Sequence, residues 1–435
     1  MDEWWLAIYV LPVVAITAYY LWRQQRTHAR YRRTLEDSVA SGMTEPASLH
    51  PLIDESKCLG CGACVKACPE TSHHDVLGLI DGKAVLIGPT ECIGHGACKT
   101  ACPFDAITLV FGTERRGLDI PVLKPTFESN VPGIFVAGEL GGMGLIKNAL
   151  TQGQQALEYI AKAAVKRAGM LDVLIVGAGP AGFAAALAAK KLGLSYECVE
   201  QDALGGAVFQ YPRGKLVMTA PVELPIVGKV HFRNTSKEEL LKFWTKACSG
   251  NGLKIHYRER VESMERKDGA FHIRTSTQQF VAATVLLAIG RRGTPRKLGV
   301  PGEELSKVVY RLIDPEQYRG QQVMVVGGGD SALEAAASIA ELGDTQVCLS
   351  YRGEAFQRAK QRNRQRVDAA SAAGQLNVLL NSQVREIRAE EVLLKQSGKE
   401  LKLRNDAVIV SAGGILPNDF LKSIGIEVET KFGTA

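Results

Sequence analysis

Beyond Phe111 the chain contains no Cys-x-x-Cys pair. The three later cysteines, Cys198, Cys248 and Cys348, lie too far apart in sequence to form the vicinal dithiol that passes electrons to a disulfide. No Ser-His-Asp set and no paired acid and base can be picked out, so side-chain nucleophilic or acid–base catalysis has no candidate. Charge of one sign is also scarce. Against 46 Asp and Glu stand 52 Lys and Arg, a formal net charge of +6. The excess gathers behind the first apolar segment and around Arg352–Arg366, with no nucleic-acid module attached. The first residues lack the basic stretch and small-residue cleavage site of a secretory signal peptide.

What is present is ample. A chain of 435 residues, 46% hydrophobic, has length for two to four domains. Of its 10 cysteines, all but the three named lie between Cys58 and Cys102. Cysteines clustered this way, outside a small secreted chain, favour metal over disulfides and a reducing compartment.

Trp4–Trp22 carries no charge. As a helix it would span about 29 Å, close to the ~30 Å hydrocarbon core of a bilayer. Trp4, Trp5, Tyr19, Tyr20 and Trp22 sit at its ends as an aromatic belt would, and Arg23, Arg26, Arg30, Arg32 and Arg33 follow. The pattern predicts a single transmembrane helix in a bacterial inner membrane, with the catalytic body cytoplasmic. Thr34–His50 reads as a polar tether without a fold.

Next comes Cys58-x2-Cys61-x2-Cys64-x3-Cys68-Pro69, the interval of bacterial ferredoxins. A second run, Cys92, His95, Cys98 and Cys102-Pro103, repeats it with His95 where the second cysteine belongs. In such pairs the fourth cysteine of each run ligates the other cluster. Cys58, Cys61, Cys64 and Cys102 are therefore expected to hold one [4Fe–4S] cluster. Cys92, Cys98 and Cys68 would hold the second, with His95 either its fourth ligand or a bystander to a three-iron cluster. His73 and His74 lie between the runs without ligand spacing and read as a solvated loop.

A glycine turn organises the remainder. The apolar run Leu171–Val176 enters Gly177-Ala-Gly179-Pro180-Ala181-Gly182, and an Ala-rich stretch, Phe183–Leu192, follows. This is strand, turn, helix: Gly177 permits the turn, Gly179 the approach of a pyrophosphate, and Gly182 the packing of helix on strand. Glu200 closes the next strand, where a ribose hydroxyl needs an acceptor. Val131–Gly142, VPGIFVAGELGG, resembles the closing flavin segment of two-dinucleotide-domain flavoproteins of the thioredoxin reductase-like family. Gly138 and Glu139 stand at its strand end, the latter where the family has Asp. In that family this segment lies at the C-terminus; here it precedes the first glycine turn. Ser411–Ala435 resembles the part that should come immediately before it. The order implies a circular permutation, with the old termini fused near Ala168–Leu171. Gly205-Gly206 resembles the family's turn beside the flavin, and Ala288-Ile-Gly290 its strand end between domains. The irregular stretch Val208–Phe232 would cover the isoalloxazine. Ser236-Lys-Glu-Glu239 is a capping box opening a helix through Ala247.

The strand Gln322–Val326 leads into a second fingerprint, Gly327-Gly-Gly329-Asp330-Ser331-Ala332. The following strand ends near Arg352, with Arg358 beyond it; arginine there suits a 2′-phosphate and selects NADPH, NADH being the alternative.

The reading is thus α/β: two Rossmann-like domains, a small α+β ferredoxin domain and one transmembrane helix. Its parts are residues 1–22 (helix), 23–50 (linker), 51–111 (ferredoxin), 112–168 (permuted flavin segment), 169–294 (FAD domain), 295–413 (NAD(P)H domain) and 414–435 (return to the FAD domain). The expected activity is electron passage between NADPH, FAD and two iron–sulfur clusters, to or from a partner carrier. A ferredoxin-linked reductase of a small molecule and a redox sensor are the alternatives. A membrane and a redox protein or small-molecule acceptor are the expected partners, nucleic acid is not, and a homodimer is left open.

Overall fold

Trp4–Ala40 forms one continuous helix in the computed structural model. The structure describes residues 4–433 except 41–43, 45, 47–48, 73–74, 93, 114–116, 143, 164–168, 219–220, 233, 292 and 358. The expectations for His73, His74 and Arg358 therefore lie outside the described residues.

The chain divides into two units, Met1–Arg115 with Gly433–Ala435, and Arg116–Phe432. In the first, the long helix ends on a small α+β body. Tyr31 is buried against Gly78, where a Cβ would lie 2.8 Å from the ring. Arg30 pairs with Asp75 at 2.9 Å and Arg32 with Asp81 at 2.8 Å. The Ser38 hydroxyl donates to the Ile87 carbonyl at 2.8 Å. Thr34–Ala40, expected as unfolded tether, is the last part of this helix.

The transmembrane expectation is overturned. Among the described residues no helix is long and apolar enough to cross a membrane. The arginines that looked like a cytoplasmic flank include Arg30 and Arg32, whose partners are carboxylates of the α+β body. The inner-membrane location inferred from them falls with the span.

That body has near two-fold regularity. His50–Ile53 pairs antiparallel with Ile107–Val110, and Leu77–Ile80 with Lys83–Leu86. Two short helices, Ala63–Ala67 and Ala97–Thr100, each follow a cysteine-bearing loop. The core includes Tyr31, Val65, Leu77, Ile87, Ile107 and four of the cysteines.

The second unit holds two parallel sheets. In the first, Ile255–Tyr257, Tyr196–Glu200, Leu171–Val176 and Gln279–Leu287 run parallel in that order. Ala270–Thr275 and Val261–Lys267 extend it as an antiparallel edge. Ile134–Val136 pairs in parallel with the end of Gln279–Leu287. The second sheet is parallel throughout, ordered Val308–Val309, Ala407–Val410, Gln322–Val326, Gln346–Ser350 and Leu376–Leu379. A three-stranded meander, Ser382–Arg404, was not foreseen. Val428–Lys431 pairs antiparallel with Leu118–Pro121, Lys431 opposite Leu118. The capping box forms as expected, Ser236 and Glu239 satisfying each other's backbone N–H, and its helix runs Lys237–Gly250.

The helix Ile146–Ala163 lies against Pro180–Lys191 so closely that a Cβ on Gly153 would sit 2.0 Å from the Ala181 carbonyl oxygen. Gly153→Ala should therefore lower stability by about 1–3 kcal/mol through overpacking. Gly250→Ala, in a helix end with nothing within 4 Å, should raise it by about 0.4–1 kcal/mol. Denaturant midpoints of the two variants check both signs.

Candidate functional site

The two parallel sheets of the second unit present their glycine turns to one cleft of about 2110 Å³. At the first turn Gly177 has φ 103°, and a Cβ there would lie 2.6 Å from the Ala288 carbonyl. Gly182 sits behind the turn, its position for a Cβ 1.7 Å from the Gly177 carbonyl. Gly179 faces the cleft, with only the Gly206 Cα, 3.9 Å away, near the place of a Cβ. Pro180 opens the helix, so its missing N–H costs no helical bond. Gly205 packs behind, its N–H bonded to the Ala178 carbonyl at 2.9 Å, while Gly206 lines the cleft.

Glu200 accepts from the N–H groups of Ala178 at 2.7 Å and Asp202 at 2.9 Å. Burial pushes its pKa up. Its neighbour Glu259 is the opposite case. Hydroxyls of Thr275 and Thr277, with Gln278, hold its carboxyl down at about 2. The Glu259 N–H donates to the Glu200 carbonyl at 2.9 Å, so the two acids share one corner of the cleft.

Gly138 and Glu139 reach the same cleft from the segment that precedes the first glycine turn. Gly138 has φ 84° and donates its N–H to Gln152 Oε1 at 2.9 Å. Glu139 Oε2 lies 3.8 Å from where Gly290 would carry a Cβ, so this acid meets the turn that follows the strand Gln279–Leu287. A free backbone edge at Gly179, helix N–H groups and a carboxylate at the next strand end fit a dinucleotide.

At the second turn Gly327 would bring a Cβ within 2.3 Å of the Ser411 carbonyl, and Gly329 faces open space. Asp330, Ser331 and Arg352 line the cleft; Ala332 is buried behind it. Asp330 is already engaged, accepting from Lys360 N–H and Asn363 Nδ2, both at 2.8 Å. Three features had no sequence signal. The Tyr351 ring lies over Gly328, 2.3 Å from the place of its Cβ, and stacks on Phe356. Lys360 lines the same cleft as Arg352. Lys215, from the stretch expected to cover the flavin, pairs with Glu334 in the helix after the second turn, at 2.5 Å.

In the first unit, Cys58, Cys61, Cys64 and Cys102 line one small apolar cavity with Ala84 and Ile107. The Cys58 and Cys102 sulfurs accept from the N–H groups of Ala84 and Ala106, each at 3.4 Å. Cys92 lies near Cys98 and Cys68, which act on it electrostatically. Burial pushes the Cys64 and Cys92 thiols up to about 11 and raises those of Cys68 and Cys98. Such thiols ionise near neutral pH only where iron or another cation takes the thiolate. Among the described residues no three acidic, His or Cys side chains stand close enough to hold a single metal ion; a cubane cluster needs a wider ring of sulfurs. His95 Nε2 is buried without a hydrogen-bond partner, and burial lowers the ring's pKa, favouring neutral imidazole. Cys198 is fully buried and Cys248 nearly so, and burial pushes the Cys348 thiol up to about 12.

Residues 174–433 match the family model for pyridine nucleotide-disulphide oxidoreductases, and residues 50–103 that of a 4Fe-4S dicluster domain. The chain belongs to the pyridine nucleotide-disulphide oxidoreductase family. More narrowly, it is a thioredoxin reductase-like, FAD-dependent NAD(P)H oxidoreductase with an iron–sulfur domain. A ferredoxin–NADP reductase of Ignicoccus hospitalis is 30% identical over 270 residues, 60% of this chain and 83% of that protein. A thioredoxin reductase of Treponema pallidum is 30% identical over 267 residues, 58% and 81% of the two chains. The fold is also that of the bacillithiol disulfide reductase from Staphylococcus aureus, with TM-score 0.53 and 23% identity over 59% of this chain and 80% of that one.

The Glu259 carboxyl gives the cleft a pH dependence. In the unfolded chain it titrates near 4.3, and in the fold at about 2. The unfolded state therefore binds the proton first as pH falls, and stability present above about pH 4.3 is lost toward pH 2. Glu259→Gln should flatten that part of the stability profile, as followed by denaturant midpoints across the acid range.

Proposed function

We propose that this protein passes electrons between NADPH and a one-electron carrier, using FAD and two iron–sulfur clusters held in the same chain. When bound, the flavin exchanges a hydride with the nicotinamide and single electrons with the clusters. The protein's residues bind and orient. Gly179, Gly206 and Gly290 leave room for the flavin nucleotide, Gly177 and Gly138 let the surrounding backbone close behind it, and Glu200 accepts from its ribose. Gly327 and Gly329 admit the second nucleotide, with Asp330 holding the Lys360 backbone in the cleft that Arg352 also lines. The observation that carries the reading is the joint one: two glycine turns on one cleft, and no vicinal dithiol after Phe111. A relative carries ferredoxin in its name as the partner of NADP. Here the dicluster segment fills the place of the first acceptor or donor.

The reading includes the circular permutation. Its support is the pairing of Lys431 with Leu118, the register a short hairpin would have if the chain ran straight from one strand to the other. A chain rearranged so that residues 117–163 follow residue 432 should still fold and retain FAD, as judged by the flavin absorbance of the purified protein. Failure to bind flavin while the original order binds it counts against the permutation.

Anaerobic titration with NADPH tests the activity. Visible spectra should report flavin reduction, followed by EPR signals from reduced clusters. A flavin that reduces while the clusters stay oxidised through turnover with an added one-electron acceptor would sink the proposal. Arg352→Ala should weaken NADPH binding by about 1.5–3 kcal/mol, the worth of a charged hydrogen bond, and leave NADH nearly unchanged. Equal losses for both nucleotides would remove Arg352 from the phosphate site.

A further inference from the structure

Two loops of the first unit are built alike. Gly60-Cys61-Gly62-Ala63-Cys64 and Gly94-His95-Gly96-Ala97-Cys98 each place one residue between two left-handed glycines. Their φ values are 67° and 73° around Cys61, and 73° and 78° around His95. Gly62 and Gly96 each serve as N-cap of the following short helix, with ψ of 7° and 0°. The surroundings repeat as well: a Cβ on Gly62 would meet Leu79 Cδ1 at 3.4 Å, and one on Gly96 would meet Leu109 Cδ1 at 3.2 Å. A backbone that turns Cys61 into the cavity lined by Cys58, Cys64 and Cys102 turns His95 the corresponding way in the second loop.

The side chain there is not a solvated imidazole. Its Nε2 is buried and lacks a hydrogen-bond partner, an arrangement that costs the desolvation of a polar atom unless something binds it. An iron atom is the acceptor that the neighbouring thiols supply. We infer that His95 Nε2 is the fourth ligand of the second cluster, completing Cys68, Cys92 and Cys98. This rests on the two-cluster reading above. The nitrogen donates its lone pair and the ring stays neutral, so no proton is released. One thiolate charge fewer surrounds this cluster than the one held by four cysteines. Its potential is therefore the higher of the two, because a less anionic shell favours the added electron. The clusters differ in potential by ligand chemistry, which gives electrons a preferred resting place.

The test uses the full chain, reconstituted anaerobically with iron and sulfide and reduced with dithionite. Pulsed EPR on protein grown with 15N-histidine should find nitrogen coupling of directly bound strength on one cluster only. His95→Cys should keep both clusters, abolish that coupling and lower the second potential. His95→Ala should lose an iron and, in the sample before dithionite is added, show an oxidised three-iron signal. Two clusters in the unaltered protein without histidine coupling would overturn the inference. Fewer than two clusters in the unaltered protein would instead overturn the two-cluster reading on which it rests. Should both variants lose the second cluster outright, the coupling in the unaltered protein decides alone.

Discussion

Close backbone approach is the constraint on which the nucleotide-binding unit depends. The helix Ile146–Ala163 touches the first glycine turn through Gly153, within a methyl group's breadth of the Ala181 carbonyl. The same turn is pressed from within by Gly182 against Gly177, and from the neighbouring strand by the Ala288 carbonyl against Gly177. Three chain segments therefore meet at one turn with no space for side chains. Hydrophobic burial alone would tolerate looser packing. The near contact fixes where the helix N-terminus points, and that fixes where a phosphate can sit.

Packing also explains the different fates of the ten cysteines. Those of the first unit cluster around loops whose backbone N–H groups face sulfur. Cys198 and Cys248 are buried among apolar neighbours in the core around the first glycine turn, where a thiol behaves as a small hydrophobe. Cys348 is the partner of Met324 across the second sheet. The chemistry is sorted by surroundings, and the cleft itself is left without a thiol to react.

Much of this was legible in the sequence where a residue answers a backbone demand. Glycines that need positive φ or no Cβ, the reciprocal cap at Ser236 and Glu239, and the acceptor Glu200 announce themselves locally. The cysteine intervals did too, since loop geometry fixes spacing. What could not be read depends on partners distant in sequence. Arg30 and Arg32 look like a membrane flank until Asp75 and Asp81 are seen opposite them. Asp330 lines the cleft, and that its Oδ1 also holds Lys360 N–H and Asn363 Nδ2 has no local signal. Tyr351 covers Gly328 without any pattern that would place it there. Ser382–Arg404 alternates polar and apolar residues weakly, and its meander emerges only through pairing.

The strand Val428–Lys431 has a bearing on how the chain is made. Its hydroxyl and carboxamide neighbours reach Asp119 across 311 and 299 residues of sequence. By the logarithmic law of loop closure, joining ends that far apart costs about 3 kcal/mol more than closing a ten-residue hairpin. Leu118–Pro121 leaves the ribosome early and must wait for the last strand to be translated before its edge is covered. Over that interval it presents unpaired backbone to other chains. Asp119 on that strand places a charge on the exposed edge, the device by which natural sheets discourage a stray partner.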